Sequence, residues 1–132
     1  MKHVRQNGKT NCGQIAVACL TGKPVEEIEA LVGHAHGSKT RELAKVLRAL
    51  GYSCLSRCVP HFRFAKPPAF GLAQMRDEKR KSGWHWVAIG EGFVWDGALK
   101  SPVAASKYEA VISEYPFLPR GRITSYLPVT RS

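Results

Sequence analysis

Cys12 has the sequence setting of a nucleophilic cysteine. It follows a polar loop and lies in the first turn of a helix predicted over residues 12 to 20, which Asn11 or Thr10 can cap. The unpaired amides and the dipole of a helix N-terminus stabilise an anion, and a cysteine attacks a carbonyl only as its thiolate. A buried structural thiol is the alternative, but Cys19, on the apolar face of the same helix, fits that role better.

His85 and Asp96 can complete the chemistry that a thiolate needs. The thiolate is paired with an imidazole that carries a proton to the leaving group, and a carboxylate or amide orients the imidazole. His85 lies in a strand predicted over 84 to 89, and Gly90-Glu91-Gly92 turns the chain back. Asp96 therefore comes opposite the strand of His85. The alternatives are a histidine packed in a sheet and an acid at the end of a hairpin.

Gln6, Gly13 and two tryptophans are further candidate site residues. Acyl transfer requires hydrogen-bond donors for the developing oxyanion, typically a backbone amide and a side-chain amide. Gln6 lies six residues before Cys12 and can curl back through a glycine-containing loop, while the Cys12 amide supplies the second donor. Gly13, together with Trp84 and Trp86 on either side of the histidine, is predicted to bind the substrate.

These residues form an ordered pattern that extends over most of the chain. The pattern is Gln6, five residues and Cys12-Gly13, then His85-Trp86-Val87-Ala88-Ile89 and Val94-Trp95-Asp96. It resembles the papain-like cysteine peptidases, and among them the C39-like peptidases that process bacteriocins. The segments that add to the resemblance are Val25 to Ile28, Thr40 to Leu47 and Pro67 to Ala69. The resemblance implies a papain-like fold with Gln6 in the oxyanion hole, Cys12 as nucleophile, His85 as general acid and base, and Asp96 as its orienting group.

The elements that must position these residues fall into a helical half and a strand-rich half. Two more helices are predicted, one after Pro24 that ends at Gly33, and one from about Lys39 to Leu50 that Ser38 or Thr40 caps and Gly51 ends. Strands are predicted over 52 to 59, 69 to 74, 84 to 89, 93 to 96 and 123 to 129, with a further helix within 103 to 113. We therefore expect one α+β domain over residues 1 to 132, with N-terminal helices packed on a C-terminal antiparallel sheet.

Size, charge and composition restrict the class of protein. A chain of 132 residues with 44% hydrophobic residues can form one domain with a core. Its longest apolar stretch, Ile15 to Leu20, is far shorter than the roughly 20 residues of a membrane span. We expect a soluble, cytoplasmic protein with free thiols rather than disulfides.

The net charge of +10 favours an acidic peptide or protein partner. No nucleic-acid motif accompanies the basic residues 79 to 81, Arg120 and Arg122, so nucleic acid is not the expected partner.

No metal or cofactor is predicted. Cys54, Cys58 and His61 combine thiols with an imidazole, but residues 54 and 58 of one strand are about 13 Å apart.

The sequence leaves three functions open: a cysteine peptidase, a thiol amidase, deamidase or acyl transferase that modifies a partner protein, and a papain-like binding module with a basic surface. The two enzyme classes share the acyl-enzyme step, so the residues alone do not separate them.

Overall fold

The computed structural model describes residues 1–6, 11–60, 70–76, 84–113 and 123–131. Within these ranges three helices precede a half of the chain that is mainly strands, which confirms the predicted α+β class. The helices are α1 (Cys12–Thr21), α2 (Val25–Val32), α3 (Thr40–Ala49) and α4 (Tyr108–Ser113). The strands are β1 (Tyr52–Ser53), β2 (Val59–Pro60), β3 (Gly71–Arg76), β4 (Trp84–Gly90), β5 (Phe93–Trp95), β6 (Val103–Ala104), β7 (Ile123–Pro128) and β8 (Thr130–Arg131). Of the residues considered above, Thr10, His61, Pro67 to Ala69, residues 79 to 81, Arg120 and Arg122 lie outside the described ranges.

The start of α1 differs in detail from the prediction. Asn11 occupies the N-cap position, but its side chain makes no capping bond. Its Nδ2 instead donates to Glu29 Oε1 at 2.8 Å, which ties the beginning of α1 to α2. The helix ends as predicted at Gly22, whose φ of 75° lies in the left-handed region that glycine accommodates without a Cβ clash.

The predicted N-terminal caps of α3 are wrong. Lys39, rather than Ser38 or Thr40, holds the N-cap position, and its backbone N–H donates to Glu42 Oε1 at 2.9 Å. Glu42 is the third residue of α3, and its carboxylate makes the bond to the N-cap backbone that the acid of a capping box makes. The carbonyl of Ser38 accepts a hydrogen bond from Trp86 Nε1 at 3.3 Å, so this residue connects α3 to the sheet.

A six-stranded antiparallel sheet has the order β2-β7-β3-β4-β5-β6, and β1 pairs with β8 in a separate two-stranded sheet. The single strand predicted over 52 to 59 is therefore wrong, because its two ends belong to different sheets. Between them, Arg48 donates to the carbonyl of Cys54 at 2.8 Å and to Ser56 Oγ at 2.9 Å. These contacts bind the segment between β1 and β2 in place of the strand-to-strand hydrogen bonds of a continuous strand. The region predicted as a helix over 103 to 113 contains β6, a 3-10 turn and α4.

The hairpin of β4 and β5 has the predicted geometry. Ala88 pairs with Trp95 and Ile89 with Val94, and the connection has positive φ angles at Glu91 (58°) and Gly92 (82°). Such turns match the right-handed twist of the strands that they join. The chain leaves β5 at Asp96, on the strand next to that of His85.

Helix α1 packs on the sheet at β4, and its residues 15 to 20 are all buried. Gly13 allows this close approach. A Cβ at Gly13 would lie 3.1 Å from Leu43, 3.2 Å from Ser38 and 3.3 Å from Trp86. The absence of a side chain therefore brings the first turn of α1 against β4, where His85 is located.

Candidate active site

Three elements bring the predicted triad together. Cys12 is the first residue of α1, His85 is the second residue of β4, and Asp96 directly follows β5. His85 Nε2 and Asp96 Oδ1 are 2.7 Å apart, and the His85 side chain also hydrogen-bonds the thiol of Cys12. Because Nε2 is taken by the carboxylate, Nδ1 is the ring nitrogen that remains for the thiol.

Asp96 is fully buried and is surrounded by hydrogen-bond donors. Its Oδ1 accepts from His85 and from the backbone N–H of Ala98 at 2.9 Å, and its Oδ2 accepts from the Tyr108 hydroxyl at 2.6 Å. Burial alone raises the pKa of a carboxyl group. Here the charge and hydrogen bond of His85, with the bonds from Tyr108 and Ala98, outweigh burial and lower the pKa of Asp96.

The imidazole of His85 is stabilised as a cation. Only 7% of the residue is exposed, and burial by itself lowers the pKa of a histidine. The carboxylate of Asp96 and, to a lesser extent, the sulfur of Cys12 have the opposite and larger effect, so the pKa of His85 is raised to about 10. A protonated His85 at neutral pH follows.

Cys12 differs from the other cysteines in the direction of its pKa shift. Burial raises the pKa of the Cys12 thiol, but the hydrogen bond and charge of His85, with the amides of Trp86 and Gly13, lower it overall. Burial raises the pKa of Cys19 to about 11 and also raises those of Cys54 and Cys58. The site therefore favours a thiolate–imidazolium pair at Cys12. No disulfide joins the four cysteines, all of which lie in described ranges.

Gln6 lies beside the loop that follows the acid. Its backbone N–H donates to the carbonyl of Gly97 at 2.6 Å. A Cβ at Gly97 would lie 3.3 Å from both the nitrogen and the Cβ of Gln6. This packing holds the backbone of Gln6 next to Asp96. The assignment of its side chain to the oxyanion hole stays a prediction.

Trp86 and Gly13 pack against each other inside the domain. Trp86 is 2% exposed, so its ring contributes to the contact between α1 and β4. Trp84 is the first residue of β4, and its side chain lies outside the described part of the structure. Contact of Trp84, Trp86 and Gly13 with a substrate stays a prediction.

Tyr108 is the site residue that sequence reasoning missed. It belongs to no motif and lies twelve positions after Asp96, beyond β6 and a 3-10 turn. The available signal was weak: a tyrosine in a predicted helix, whose hydroxyl needs a partner if the ring is buried.

Two negative findings hold for the described ranges. They contain no group of three or more histidine, cysteine, aspartate and glutamate side chains placed to hold a metal ion. Their helices also lack the combination of length and apolar character that crossing a bilayer requires.

Comparison with known proteins supports the fold through structure rather than through sequence. No protein family matches the sequence, and no curated protein does. A crystal structure of a double-glycine motif protease from an AMS/PCAT transporter, in complex with the leader peptide, superposes with a TM-score of 0.64 at 15% identity. The match covers 98% of this chain and 91% of that one. The chain therefore shares the papain-like α+β fold of that protease.

Proposed function

We propose that the chain is a cysteine peptidase in which Cys12, His85 and Asp96 act as the catalytic triad. The observation that carries the proposal is the position of His85 between the other two, with Nε2 on the carboxylate and a side-chain hydrogen bond to the thiol at the start of α1. A histidine that merely filled the sheet would not need a hydrogen bond to a cysteine whose pKa is lowered. This arrangement provides both a nucleophile and a proton donor.

The reaction begins with the thiolate of Cys12. Its sulfur adds to the carbonyl carbon of a peptide bond, and the electron pair of the C=O bond moves to oxygen. When the tetrahedral intermediate collapses, the C–N bond breaks and the imidazolium of His85 gives its proton to the leaving amine. A thioester between Cys12 and the acyl part of the substrate remains.

Water completes the cycle. Neutral His85 takes a proton from the water as its oxygen adds to the thioester carbon, and the C–S bond then breaks. The products are a carboxylic acid and the thiolate of Cys12, again paired with the imidazolium. Asp96 keeps its negative charge throughout and stabilises the imidazolium of His85 each time it forms.

The Cys12 amide and the Gln6 side chain are the proposed oxyanion donors. The amide belongs to the first turn of α1, where backbone N–H groups have no intrahelical acceptor. The bond from the Gln6 backbone to Gly97 supports the second assignment, because it fixes this residue beside the triad. Donors that are held in place before the reaction stabilise the developing charge without reorganisation.

A peptide is the proposed substrate. The structurally similar protease was crystallised with a leader peptide, and a net charge of +10 favours peptides with acidic residues. Amidase or transferase activity would use the same thioester with a different acceptor. The masses of the products distinguish these reactions, since cleavage, conversion of an amide to an acid, and ligation each give a different product.

Alkylation of Cys12 tests the thiolate directly. Iodoacetamide should label Cys12 at about pH 6, where an ordinary thiol with a pKa of about 8.5 reacts slowly. His85→Ala should abolish this low-pH labelling, and peptide mapping should show that the other three cysteines react slowly in both proteins. Slow labelling of Cys12 in the folded wild type would contradict the ion pair.

Hydrolysis is tested with a mixture of synthetic peptides of equal length that differ in the number of acidic residues. Mass spectrometry should find new termini with the wild type and none with Cys12→Ala. Cys54→Ala is a matched control, because Cys54 is also a partly buried thiol but has a raised pKa. Cleavage by folded Cys12→Ala would refute the proposed mechanism.

A further inference from the structure

Tyr108 makes a contact that the proposed reaction does not itself require. The residue lies at the start of α4 and is fully buried. Its hydroxyl donates to Asp96 Oδ2 at 2.6 Å, and the sulfur of Met75 lies 3.7 Å from the same hydroxyl. The other carboxylate oxygen, Oδ1, is used by His85 and Ala98. Each oxygen of Asp96 therefore has a defined donor.

The bond to Oδ2 matters because the side-chain torsions of an aspartate do not by themselves fix the orientation of the carboxylate plane. The terminal torsion of this side chain is broad, so the plane can turn at little cost unless both oxygens are held. A turn of the plane would move Oδ1 away from the line of the His85 Nε2–H bond. Hydrogen bonds weaken steeply when their alignment is lost.

We propose that Tyr108 is a positioning residue of the triad, whose hydroxyl holds the Asp96 carboxylate in the orientation that His85 requires. The inference rests on the proposed function for its catalytic meaning. Tyr108 touches neither the thiol nor the reacting carbonyl in this scheme. It acts on Cys12 through Asp96 and His85.

A positioning role and a purely electrostatic role predict opposite changes when the hydroxyl is removed. If Tyr108 only withdrew charge from the carboxylate, its removal would leave a more basic Asp96 and raise the pKa of His85. If Tyr108 holds the orientation, its removal weakens the bond from Asp96 to the imidazolium and lowers the pKa of His85. The sign of the change therefore distinguishes the two roles.

Cys12 of α1 also raises the pKa of His85, so the test compares proteins that all retain Cys12. The titratable groups that act on Asp96 within the described residues are His85 of β4, Tyr108 of α4 and Cys19 of α1. Burial, and then the charge of Asp96, raise the pKa of Tyr108 well above 10, so its hydroxyl remains a donor at neutral pH. Burial raises the pKa of Cys19 to about 11, so that thiol remains neutral.

The test is a titration of the His85 ring nitrogens by NMR in the wild type, Tyr108→Phe and Tyr52→Phe. Tyr52 stacks on Phe70 and controls for loss of a hydroxyl elsewhere in the domain. Tyr108→Phe should lower the pKa of His85 by about one unit, the value expected for a weakened hydrogen bond between charged groups. The Nε2 proton of His85 should also exchange faster with water, while Tyr52→Phe should match the wild type.

An unchanged or raised pKa of His85 in folded Tyr108→Phe would overturn the proposal. If that variant does not fold, the wild type supplies the test, because a Tyr108 hydroxyl held by Asp96 should exchange slowly with water. A fast-exchanging hydroxyl would overturn the proposal. Failure of the proposed function is separate, since slow labelling of Cys12 in the wild type would end the peptidase assignment, whereas the positioning role depends on the difference in the His85 pKa between Tyr108→Phe and the wild type.

Discussion

Gly97 is the position where one added methyl group should disturb the site most directly. In Gly97→Ala the new Cβ would lie 2.6 Å from Ile15 Cγ2, closer than real Cβ contacts. Ordinary contact begins at 3.4 Å, so the loop or Ile15 must move by about 0.8 Å, the difference between the two distances. Overpacking of this kind costs about 1 to 3 kcal/mol. The free energy of unfolding, measured with urea, should fall by that amount.

The same displacement should also lower the catalytic rate. Gly97 directly follows Asp96, and its carbonyl accepts the backbone N–H of Gln6. A shift of this size moves the acid and the proposed oxyanion donor together. Misplacement by about 1 Å can cost about 100-fold in rate. Cleavage of the peptide mixture, expressed per molecule of folded enzyme, should fall by up to that factor.

Two variants make the Gly97 prediction refutable. Gly37→Ala is the matched control, since a Cβ at Gly37 meets no atom within 4 Å, and its effect should stay within about 0.5 kcal/mol. Ile15→Ala removes the clashing Cγ2. The double variant Gly97→Ala/Ile15→Ala should therefore be less destabilised than the two single effects together, by about 1 to 2 kcal/mol. Strictly additive effects, or a wild-type stability for Gly97→Ala, would refute the clash.

The buried pair and the packing of α1 give the remaining predictions. The pKa of Asp96 is lower in the folded state than in the unfolded state. The charged carboxylate therefore stabilises the fold at pH values above its unfolded pKa of about 3.9, and this stabilisation is lost as the pH falls through its folded pKa. In Asp96→Asn, the free energy of unfolding from urea titrations should fall less steeply with decreasing pH than in the wild type. An unchanged dependence on pH would contradict the prediction. Protonated His85 stabilises the fold fully at pH values below its unfolded pKa of about 6.5. This stabilisation is lost as the pH rises through the folded pKa of about 10. His85→Gln should remove that alkaline decline, and a decline that persists would exclude His85 as its source. Gly13→Ala adds a methyl group 3.1 to 3.3 Å from three side chains and should lower the free energy of unfolding by about 1 to 3 kcal/mol. A wild-type urea midpoint would show that these neighbours yield without cost.

The geometry of the triad followed from local signals to a large extent. A polar loop before an apolar helix predicted the position of Cys12, and Gly22 predicted where that helix ends. A compact turn at Glu91 and Gly92 placed β5 beside β4, so the proximity of Asp96 to His85 could be counted along the two strands. These features depend on residues that are close in sequence.

The errors arose where hydrogen bonds that the hydrophobic pattern does not report decide the local structure. The start of α3 depends on the Glu42 carboxylate and on a Ser38 carbonyl that bonds a tryptophan of β4. The break between β1 and β2 depends on Arg48, whose guanidinium takes the carbonyl of Cys54. Alternating hydrophobicity reports which side of a strand is buried, but it does not report such competing hydrogen bonds.

The contact between Tyr108 and Asp96 was beyond sequence reasoning for a related reason. The carboxylate and the hydroxyl are brought together by the way β6 and α4 return to the sheet, which no spacing rule specifies. A buried tyrosine predicts that its hydroxyl has a partner, but not which partner.

The physical problem in this fold is to keep a carboxylate charged where it has no contact with water. A buried carboxyl with too few donors takes up a proton, and a neutral Asp96 would no longer support a protonated His85. The charge of Asp96, and through His85 the lowered pKa of Cys12, therefore depend on the bonds that Tyr108 and the amide of Ala98 make to the carboxylate.

The loop that carries Asp96 is in turn fastened by the N-terminal segment. His3 Nε2 bonds the carbonyl of Leu99 at 2.8 Å, the Gln6 amide bonds that of Gly97, and the Lys2 amide bonds that of Cys19 in α1 at 3.0 Å. Residues 1 to 6 thus connect α1, which begins at Cys12, to the loop that follows Asp96. A perturbation of this segment should lower the reactivity of Cys12 before it unfolds the domain, because charge pairs in a low dielectric are sensitive to small changes in distance.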